Sequence, residues 1–349
     1  MNSSDQQHPD ASTGVSLRLP TMKDVAVRAG VSRQLVSLVL RGAPGPSESS
    51  RELILKAAAE LDFRPNKSAR LLRQNRTRLI GVHFTPRNEF QNRVIERLLE
   101  TSAGHGYGIV LGPVTKQRNT EVVVSQLFEH RVEALACFNP DPDSTALGQA
   151  LDLMPVVWLG EQYAEPRADI VHVDDNGALR LVIRHLHDQG HRQITYAGGI
   201  GRTVGPAREA AYRQAMLESG LAAHIDVVPV GFGEEDGATA ARQILERETL
   251  PTAVVASSDQ CAQGILAVLR EQNIAVPERV SVTGFDDSDS ASLSYNRLTT
   301  VHQDVDLTVD ATIKAITRRL TDRTLKPQEV ATEATLVIRS TTGNANPSG

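Results

Sequence analysis

Arg33 and Gln34 are adjacent side chains whose chemistry suits the reading of DNA base edges. An arginine can donate two hydrogen bonds to one guanine, and a glutamine amide can bond an adenine at two points. Both residues follow Ser32 at the start of a short segment with helical apolar spacing. A recognition helix contacts bases in the major groove from this N-terminal position. The pattern leaves a second interpretation open, which is an ordinary helical hairpin with a solvated polar face.

Two short helices within residues 21–40 would position these side chains. Thr21 and Asp24 have the spacing of a capping box. Gly30 follows where a helix end favours positive φ, and Ser32 can cap the second helix. The apolar face of that second helix comprises Val36, Val39 and Leu40. Its polar face comprises Arg33, Gln34 and Ser37.

The charge of the chain is segregated, and this favours the DNA-binding interpretation. Residues 21–78 hold 12 Lys and Arg against 5 Asp and Glu, whereas the whole chain holds 37 against 42. A basic module on an acidic body suits phosphate binding by the small part, and argues against nonspecific coating of nucleic acid by the large one. A third helix at 47–61, capped by Ser47, is predicted to complete the core of the small part. The side chains predicted to be buried in it are Leu53, Ile54, Ala57, Ala58 and Leu61.

From residue 79 onward, short apolar runs alternate with amphipathic helices. This alternation predicts an α/β fold with parallel sheets covered on both faces. Two such sheets side by side would form a cleft, with ligand groups at the carboxyl ends of the strands. Strands are predicted at 79–84, 108–111, 134–137, 155–159, 193–197, 227–230, 253–256 and 281–283. Helices are predicted at 94–103, 122–129, 176–189, 208–219, 236–247 and 261–272.

Several motifs in order resemble the LacI/GalR family of bacterial transcription regulators. They are TMKDVAVRAGVSRQLVSLVLRG, RPNKSARLLRQNRTRLIGV, HVDDNGALRLVIRHLHDQGHRQITYAGG, ASSDQCAQGILAVLREQNIAVPERVSVTGFDD and LTTVHQD. The resemblance implies a helix-turn-helix domain followed by a periplasmic-binding-protein-like core of two doubly wound parallel-sheet subdomains. It also implies that the chain crosses between these subdomains near Val173, Gln303 and Thr332.

The domain organisation follows from the motifs and the resemblance together. The expected parts are a disordered tail at 1–20, the helix-turn-helix domain at 21–65, a hinge helix or linker at 66–77, an effector-binding and dimerisation core at 78–340 and a second tail at 341–349. Within the core, the N-subdomain is expected at about 78–172 and 303–332, and the C-subdomain at about 173–302 and 333–340.

The resemblance implies a homodimer that binds double-stranded operator DNA. The DNA-binding residues would be Thr21, Ser32, Arg33, Gln34, Ser37, Leu38, Asn66, Ala69, Arg70 and Leu72. Leu72 would wedge into the minor groove, where inserted leucines kink DNA; the alternative is a basic linker that only tethers. Many relatives read Val-Ser-Arg-Val where this chain has Leu38 in place of the arginine. An outward Leu38 could pack on a thymine methyl group, whereas an inward one would only pack against the first helix.

The effector-binding residues implied by the resemblance are Arg87, Phe90, Arg208, Phe232, Ser258, Asp259 and Asp286. Asp286 would accept a hydrogen bond from a sugar hydroxyl, although an aspartate there could instead cap the next turn. The ring of Phe232 suits the apolar face of a sugar or a purine. Near Arg87 and Phe90, Asn88 could simply make the turn.

Two departures from the family pattern put the usual ligand set in doubt. Ser258 stands where relatives commonly have an asparagine, and the family's effector arginine more usually aligns with Pro206 than with Arg208. Either an unusual effector or no effector fits these departures.

Other classes of function find little support. The glycine-rich tract at 198–201 lacks the GxGxxG order of a dinucleotide loop, and no cofactor is expected. Cys137 and Cys261 have no partner spacing for a disulfide or zinc site. A metal site is not expected at His185, His187 and His191, which suit structural or surface roles.

The chain has no secretory signal and no long apolar run, so we expect a cytoplasmic dimer that is not an enzyme. The second hypothesis is a solute-binding protein with the same core.

Overall fold

The computed structural model describes residues 20–63, 76–160 and 165–346. The chain forms two compact units, Met1–Arg76 and Thr77–Gly349. The predicted N-terminal tail lies outside the described residues, except for Pro20. Most of the predicted hinge also lies outside them, including Asn66, Ala69, Arg70 and Leu72. Expectations about these residues therefore stay predictions.

The described residues of the small unit form three helices whose ends follow the sequence signals. The helices are α1 (Met22–Ala29), α2 (Arg33–Leu40) and α3 (Glu48–Glu60). The Thr21 backbone N–H donates to Asp24 Oδ2 at 2.7 Å, and the Thr21 side chain accepts from the Asp24 N–H, so the predicted capping box is confirmed. Gly30 has a φ of +64°, and Ser32 Oγ accepts from the Leu35 N–H at 3.2 Å.

The core of the small unit is centred on Val25, Val36 and Ile54, all fully buried. The prediction that Leu53 is buried was wrong, because its side chain is 48% exposed. Ile54, Ala57 and Ala58 fill the inner face of α3 at i, i+3 and i+4 spacing. Leu53 precedes Ile54 by one residue, and one residue turns a helix by about 100°, which takes Leu53 to the solvent side.

The described residues of the large unit form two six-stranded sheets. The strands are β1 (Leu79–Phe84), β2 (Gly108–Pro113), β3 (Ala134–Phe138), β4 (Val156–Leu159), β5 (Asp169–Val173), β6 (Ile194–Gly199), β7 (Asp226–Val230), β8 (Ala253–Ala256), β9 (Ser281–Asp286), β10 (Thr299–Gln303), β11 (Glu329–Thr332) and β12 (Ala334–Val337). The N-subdomain sheet has the order β11-β5-β4-β3-β1-β2, and the C-subdomain sheet has the order β12-β10-β9-β8-β6-β7.

Helices cover these sheets on both faces. They are α4 (Glu89–Ser102), α5 (Thr120–Glu129), α6 (Thr145–Leu153), α7 (Asp175–Asp188), α8 (Val204–Glu218), α9 (Glu234–Leu245), α10 (Asp259–Glu271), α11 (Asp289–Ser292) and α12 (Val305–Thr321), with single 3₁₀ turns at Ala103–His105 and Ala222–His224. The chain passes between the sheets after Val173, Gln303 and Thr332, the three places that the family resemblance implies.

Two features of the large unit differ from the sequence expectation. The short β12 pairs antiparallel with β10, because it follows β11 after a single residue with no crossover helix between them. The expected tail at 341–349 was wrong for residues 341–346. Thr341 and Thr342 are buried, and Thr341 Oγ1 donates to the Val282 carbonyl at 2.7 Å. The polar composition of the segment hid this packing.

Candidate effector cleft and DNA-reading helix

Helix α2 presents Arg33 and Gln34 at its N-terminal end, where both side chains are exposed. Val36 and Val39 on the opposite face are buried in the core of the small unit. Thr21 and Ser32 are occupied as helix caps, since their hydroxyl oxygens accept from the Asp24 and Leu35 N–H groups. The Thr21 hydroxyl also donates to Asp24 Oδ2 at 2.6 Å. Arg33 and Gln34, whose chemistry suits base readout, are therefore not packed in the core of the small unit.

Leu38 is half-buried, as is Ser37. The partly buried apolar side chains packed against the small core are Met22, Val31, Leu35, Leu40, Leu61 and Phe63. Leu38 is not among them, which favours the outward orientation over packing against α1.

A cleft of about 850 Å³ opens in the large unit, between the ends of strands from both subdomains. Arg87, Phe90 and Phe138 line it from the N-subdomain, and Arg208, Phe232 and Asp286 from the C-subdomain. Five of the seven residues implied by the family resemblance therefore meet at one cavity, namely Arg87, Phe90, Arg208, Phe232 and Asp286. Strand ends of a parallel sheet are the usual place for ligand groups.

Arg208 forms a buried anchor in this cleft. Its Nε donates to Asp175 Oδ1 at 3.0 Å and its Nη1 to the Ser257 carbonyl at 2.7 Å. The guanidinium carbon lies 3.6 Å from the ring centroid of Phe285 and 5.9 Å from that of Phe232. Burial raises the pKa of Asp175, and the Arg208 guanidinium partly offsets the rise. The Arg208 guanidinium is therefore already paired with groups of the protein itself.

Asp286 ends β9 with its side chain at the cleft. Its Oδ1 accepts from Gln303 Nε2 at 2.6 Å. Burial raises the pKa of Asp286 to about 8, with a partial offset from Arg208. Near neutral pH the carboxyl group can therefore carry a proton and donate a hydrogen bond as well as accept one. This placement favours the cleft interpretation of Asp286 over a turn cap.

Aromatic rings face the cleft from both sides. Phe90 packs edge to face on Phe138, with ring centroids 6.5 Å apart and an interplanar angle of 85°. Phe232 lies between two glycines, and its carbonyl accepts from Ser258 Oγ at 2.6 Å. The two walls can hold a ring between apolar surfaces.

Ser258 and Asp259 do not reach the lining. Ser258 Oγ caps α10 by accepting from the Cys261 N–H at 3.0 Å. Asp259 is fully buried and accepts from the Ser288 N–H at 2.7 Å and from the Thr300 hydroxyl. Both side chains support the loops that carry Phe232 and Asp286. Asn88, for its part, makes the turn before α4, because Oδ1 accepts from the Gln91 N–H.

The sequence reasoning missed Gln303, which lines the cleft, and also Asp175 and Arg93, which hydrogen-bond to the lining residues Arg208 and Asp286. Asp175 and Gln303 lie within the motifs HVDDNGAL and LTTVHQD, so those motifs carried a usable signal. Arg93 lies on α4 and no local pattern marks it.

Two of the three histidines considered for a metal site, His185 and His191, have hydrogen-bond partners within the protein. His185 Nε2 lies 3.0 Å from Thr342 Oγ1, and the two ring nitrogens of His191 each lie 2.9 Å from an oxygen, Thr252 Oγ1 and the Gly343 carbonyl. Among the described residues, no cluster of His, Cys, Asp and Glu could hold a metal ion. Within those residues too, no helix has the length and apolar content needed to cross a membrane.

Comparisons with known proteins agree with the two-unit architecture. Residues 21–66 match the bacterial regulatory proteins of the lacI family, and residues 183–342 match the periplasmic binding protein-like domain. The chain is 30% identical over 334 residues to the HTH-type transcriptional regulator CelR of Thermobifida fusca, covering 92% of this chain and 98% of that protein. It is 29% identical over 329 residues to the HTH-type transcriptional repressor PurR of Pasteurella multocida, covering 92% and 98%.

A solved structure of the lac repressor dimer, bound to operator and the anti-inducer ONPF, is similar over most of the chain. The TM-score is 0.79 at 25% identity, and the match covers 93% of this chain and 100% of the other.

Proposed function

The chain belongs to the lacI family of bacterial regulatory proteins, and from that membership we propose that it is a repressor whose affinity for operator DNA is changed by a small molecule bound in the cleft. Binding would close the cleft and rotate the subdomains. The hinge residues 66–73, through which such a change would act on DNA binding, lie outside the described residues. The observation that carries the proposal is the pairing of a capped α2, with Arg33 and Gln34 exposed, with a cleft lined from both subdomains.

A sugar or a related metabolite fits the chemistry of the cleft best. Phe90 and Phe232 offer apolar ring faces, and the buried Asp286 carboxyl offers a hydrogen-bonding group with few competing waters. Two of the five N–H donors of Arg208 are already used by Asp175 and the Ser257 carbonyl, and its charge is paired with the Asp175 carboxyl group. A ligand without a strong negative charge therefore suits the site.

The repressor is proposed to act as a homodimer on a palindromic operator. The lac repressor structure similar to this chain is a dimer bound to operator. On the C-subdomain surface, Tyr295 is 70% exposed and Leu293 is 41% exposed. Large apolar side chains exposed near one another are a feature of protein interfaces. Two copies would present two α2 helices to two half-sites one helical turn apart.

The proposal includes a cytoplasmic location, on the chromosome when operator is bound, and no enzymatic activity. Membership of a family of regulators supports both. The alternative, a solute-binding protein with the same core, has no use for the helices α1–α3 or for a match to the lacI family at residues 21–66.

Selection of bound duplexes from a random pool tests the DNA-binding part. We expect a palindromic site, with an affinity that falls steeply as salt concentration rises because Lys and Arg displace counterions from phosphate. An Arg33→Ala variant should lose about 1–3 kcal/mol on that site and relax the preference at one position of each half-site. Recovery of random sequence by the wild-type protein would contradict the proposal.

A further inference from the structure

Arg93 makes a contact across the cleft. It lies on α4 in the N-subdomain, yet its Nη1 donates to two carbonyls in the C-subdomain. The distances are 3.3 Å to the Asp286 carbonyl and 2.5 Å to the Asp287 carbonyl. Asp286 is the last residue of β9, and Asp287 is the first residue of the turn that follows it. One side chain from one wall of the cleft thus holds the backbone of the opposite wall.

The turn that Arg93 holds has an unusual backbone. Asp286 has a φ of +129° and Asp287 a φ of +49°, so two consecutive residues with side chains have positive φ. Residues other than glycine avoid this region because the Cβ atom crowds the backbone. Such conformations persist only where surrounding contacts impose them. The contacts on this turn therefore decide where the Asp286 carboxyl points.

The C-subdomain supplies only part of those contacts. The Asp287 carboxylate accepts from Arg339 Nη2 at 2.6 Å and from His302 Nδ1 at 2.9 Å, which ties the turn to β10 and to the segment after β12. The Asp286 carboxyl accepts from Gln303. Arg93, from the other subdomain, donates to the two backbone carbonyls.

We propose that Arg93 is a positioning residue that keeps the Asp286 carboxyl on the cleft lining only while α4 and the turn after β9 are in contact across the cleft. Separation of the subdomains removes the donor from both carbonyls, so the turn relaxes and the carboxyl moves away from the lining. Cleft closure and the presentation of Asp286 become one event. The inference rests on the proposed role of Asp286 in effector binding.

Two other contacts cross the cleft and provide a matched control. Arg202 Nη1 donates to Asp141 Oδ1 at 2.6 Å, and Ser290 Oγ donates to Glu89 Oε2 at 3.0 Å. The Arg202 pair joins the same two subdomains but does not touch residues 286 and 287. Arg97 lies one turn beyond Arg93 on α4 and pairs within the N-subdomain, with Asp306 and Glu100. Arg202→Met and Arg97→Met separate the proposed effect from general opening and from loss of charge on α4.

Hydrogen exchange followed by mass spectrometry tests the proposal on the full chain without any effector or operator. In Arg93→Met, the amides of residues 285–290 should exchange about tenfold faster than in the wild type, while those of β8 and α10 keep their rates. In Arg202→Met and Arg97→Met the same segment should stay within about twofold of the wild type. Equal acceleration in Arg93→Met and Arg202→Met, or none in Arg93→Met, would overturn the proposal. Arg93→Gln carries the same expectation if the Met variant does not fold.

A carbon-13 titration of labelled aspartate gives a second test, in which the direction of the change in the pKa of Asp286 separates two explanations. The Asp286 signal is identified by its absence in Asp286→Asn. The charged groups that face this carboxyl are Arg208, Asp259 and Arg93. Loss of the Arg93 charge alone would raise the pKa of Asp286, whereas release of the turn into water lowers it toward the ordinary carboxyl value. We expect the lower pKa in Arg93→Met and the wild-type value in Arg202→Met. A higher pKa of Asp286 in Arg93→Met would mean that Arg93 acts on this carboxyl group only through its charge and does not position it.

These outcomes are independent of the proposed function. Failure of the exchange and titration tests would remove the positioning role and leave effector-controlled DNA binding untouched. Conversely, failure to select an operator would refute the regulatory function without altering what Arg93 does to the turn.

Discussion

The DNA-reading unit and the effector cleft are built in opposite ways. In the small unit, Thr21, Asp24, Gly30 and Ser32 set the ends of α1 and α2, and all of them lie within 12 residues of one another. In the cleft, Arg93 and the turn at Asp286 are separated by 193 residues. Local patterns specify the first region, whereas the second exists only once distant segments pack.

The two regions also differ in how their polar groups are held. Arg33 and Gln34 are exposed, so a substitution of either residue should alter DNA binding and have little effect on stability. Arg208 and Asp286 are buried in a chain of polar contacts, where each group depends on its partner. We therefore expect substitutions in the cleft to cost stability and substitutions on α2 to change specificity.

The largest effect should follow Arg208→Leu. This change leaves the Asp175 carboxyl buried without its cationic partner, which typically costs about 3–5 kcal/mol in the free energy of unfolding. Arg213→Leu is the matched control, because Arg213 pairs with Glu209 on the same helix at a more exposed site. The control should lose less than about 1 kcal/mol. Similar losses in both variants, measured by urea unfolding, would remove the contrast between buried and exposed polar groups.

Asp286→Asn should have a smaller effect on stability, one that depends on pH. The pKa of Asp286 rises from 3.8 to about 8 on folding. The folded protein therefore holds this proton more tightly, and the stabilisation is complete below the ordinary carboxyl pKa and lost as pH rises toward about 8.

The melting temperature of Asp286→Asn should therefore fall less between pH 5 and pH 8 than that of the wild type. Asp289→Asn, at the exposed neighbouring residue, should keep the wild-type pH dependence. An unchanged slope in Asp286→Asn would mean that the carboxyl is ionised across this range.

On the DNA-reading side, Leu38→Arg should change specificity. An arginine there could donate to guanine, which leucine cannot, so we expect a new guanine preference worth about 1–3 kcal/mol at one position of the half-site. Binding of a duplex library by the two proteins measures it. A folded variant with unchanged preference at every position would show that Leu38 does not face the groove.

Thr21→Ala should have the smallest effect. Loss of the N-cap hydroxyl typically costs about 1 kcal/mol of helix stability. Because Thr21 is occupied by Asp24, base preference should stay as in the wild type. A specificity change comparable to that of Leu38→Arg would mean that Thr21 contacts DNA directly.

The same contrast explains which features could be predicted from the sequence. The caps and the exposed Arg33 and Gln34 were predicted because each depends on neighbours a few residues away. The two sheets followed from the alternation of apolar runs and helices. Leu53 was assigned to the wrong face, since apolar character alone does not say which side of α3 a small core can accept.

Features that depend on distant contacts were out of reach. Ser258 and Asp259 lie in the expected motif, but their partners, Phe232 and Ser288, turn them away from the cleft. No local sequence pattern identifies Arg93, because its acceptors are backbone carbonyls of a distant segment. The antiparallel β12 was likewise unpredictable, since its four residues carry too little periodicity to reveal a pairing direction.

The most direct test of the central claim is the operator affinity of wild-type and Phe232→Ala proteins, measured on the selected duplex across a panel of sugars and related metabolites. We expect both proteins to bind the duplex equally without added ligand, because Phe232 lies in the cleft of the large unit and α2 in the small one. We also expect at least one compound to shift the wild-type affinity and to leave that of Phe232→Ala unshifted at the same concentration. A variant that responds at wild-type concentrations would contradict the claim.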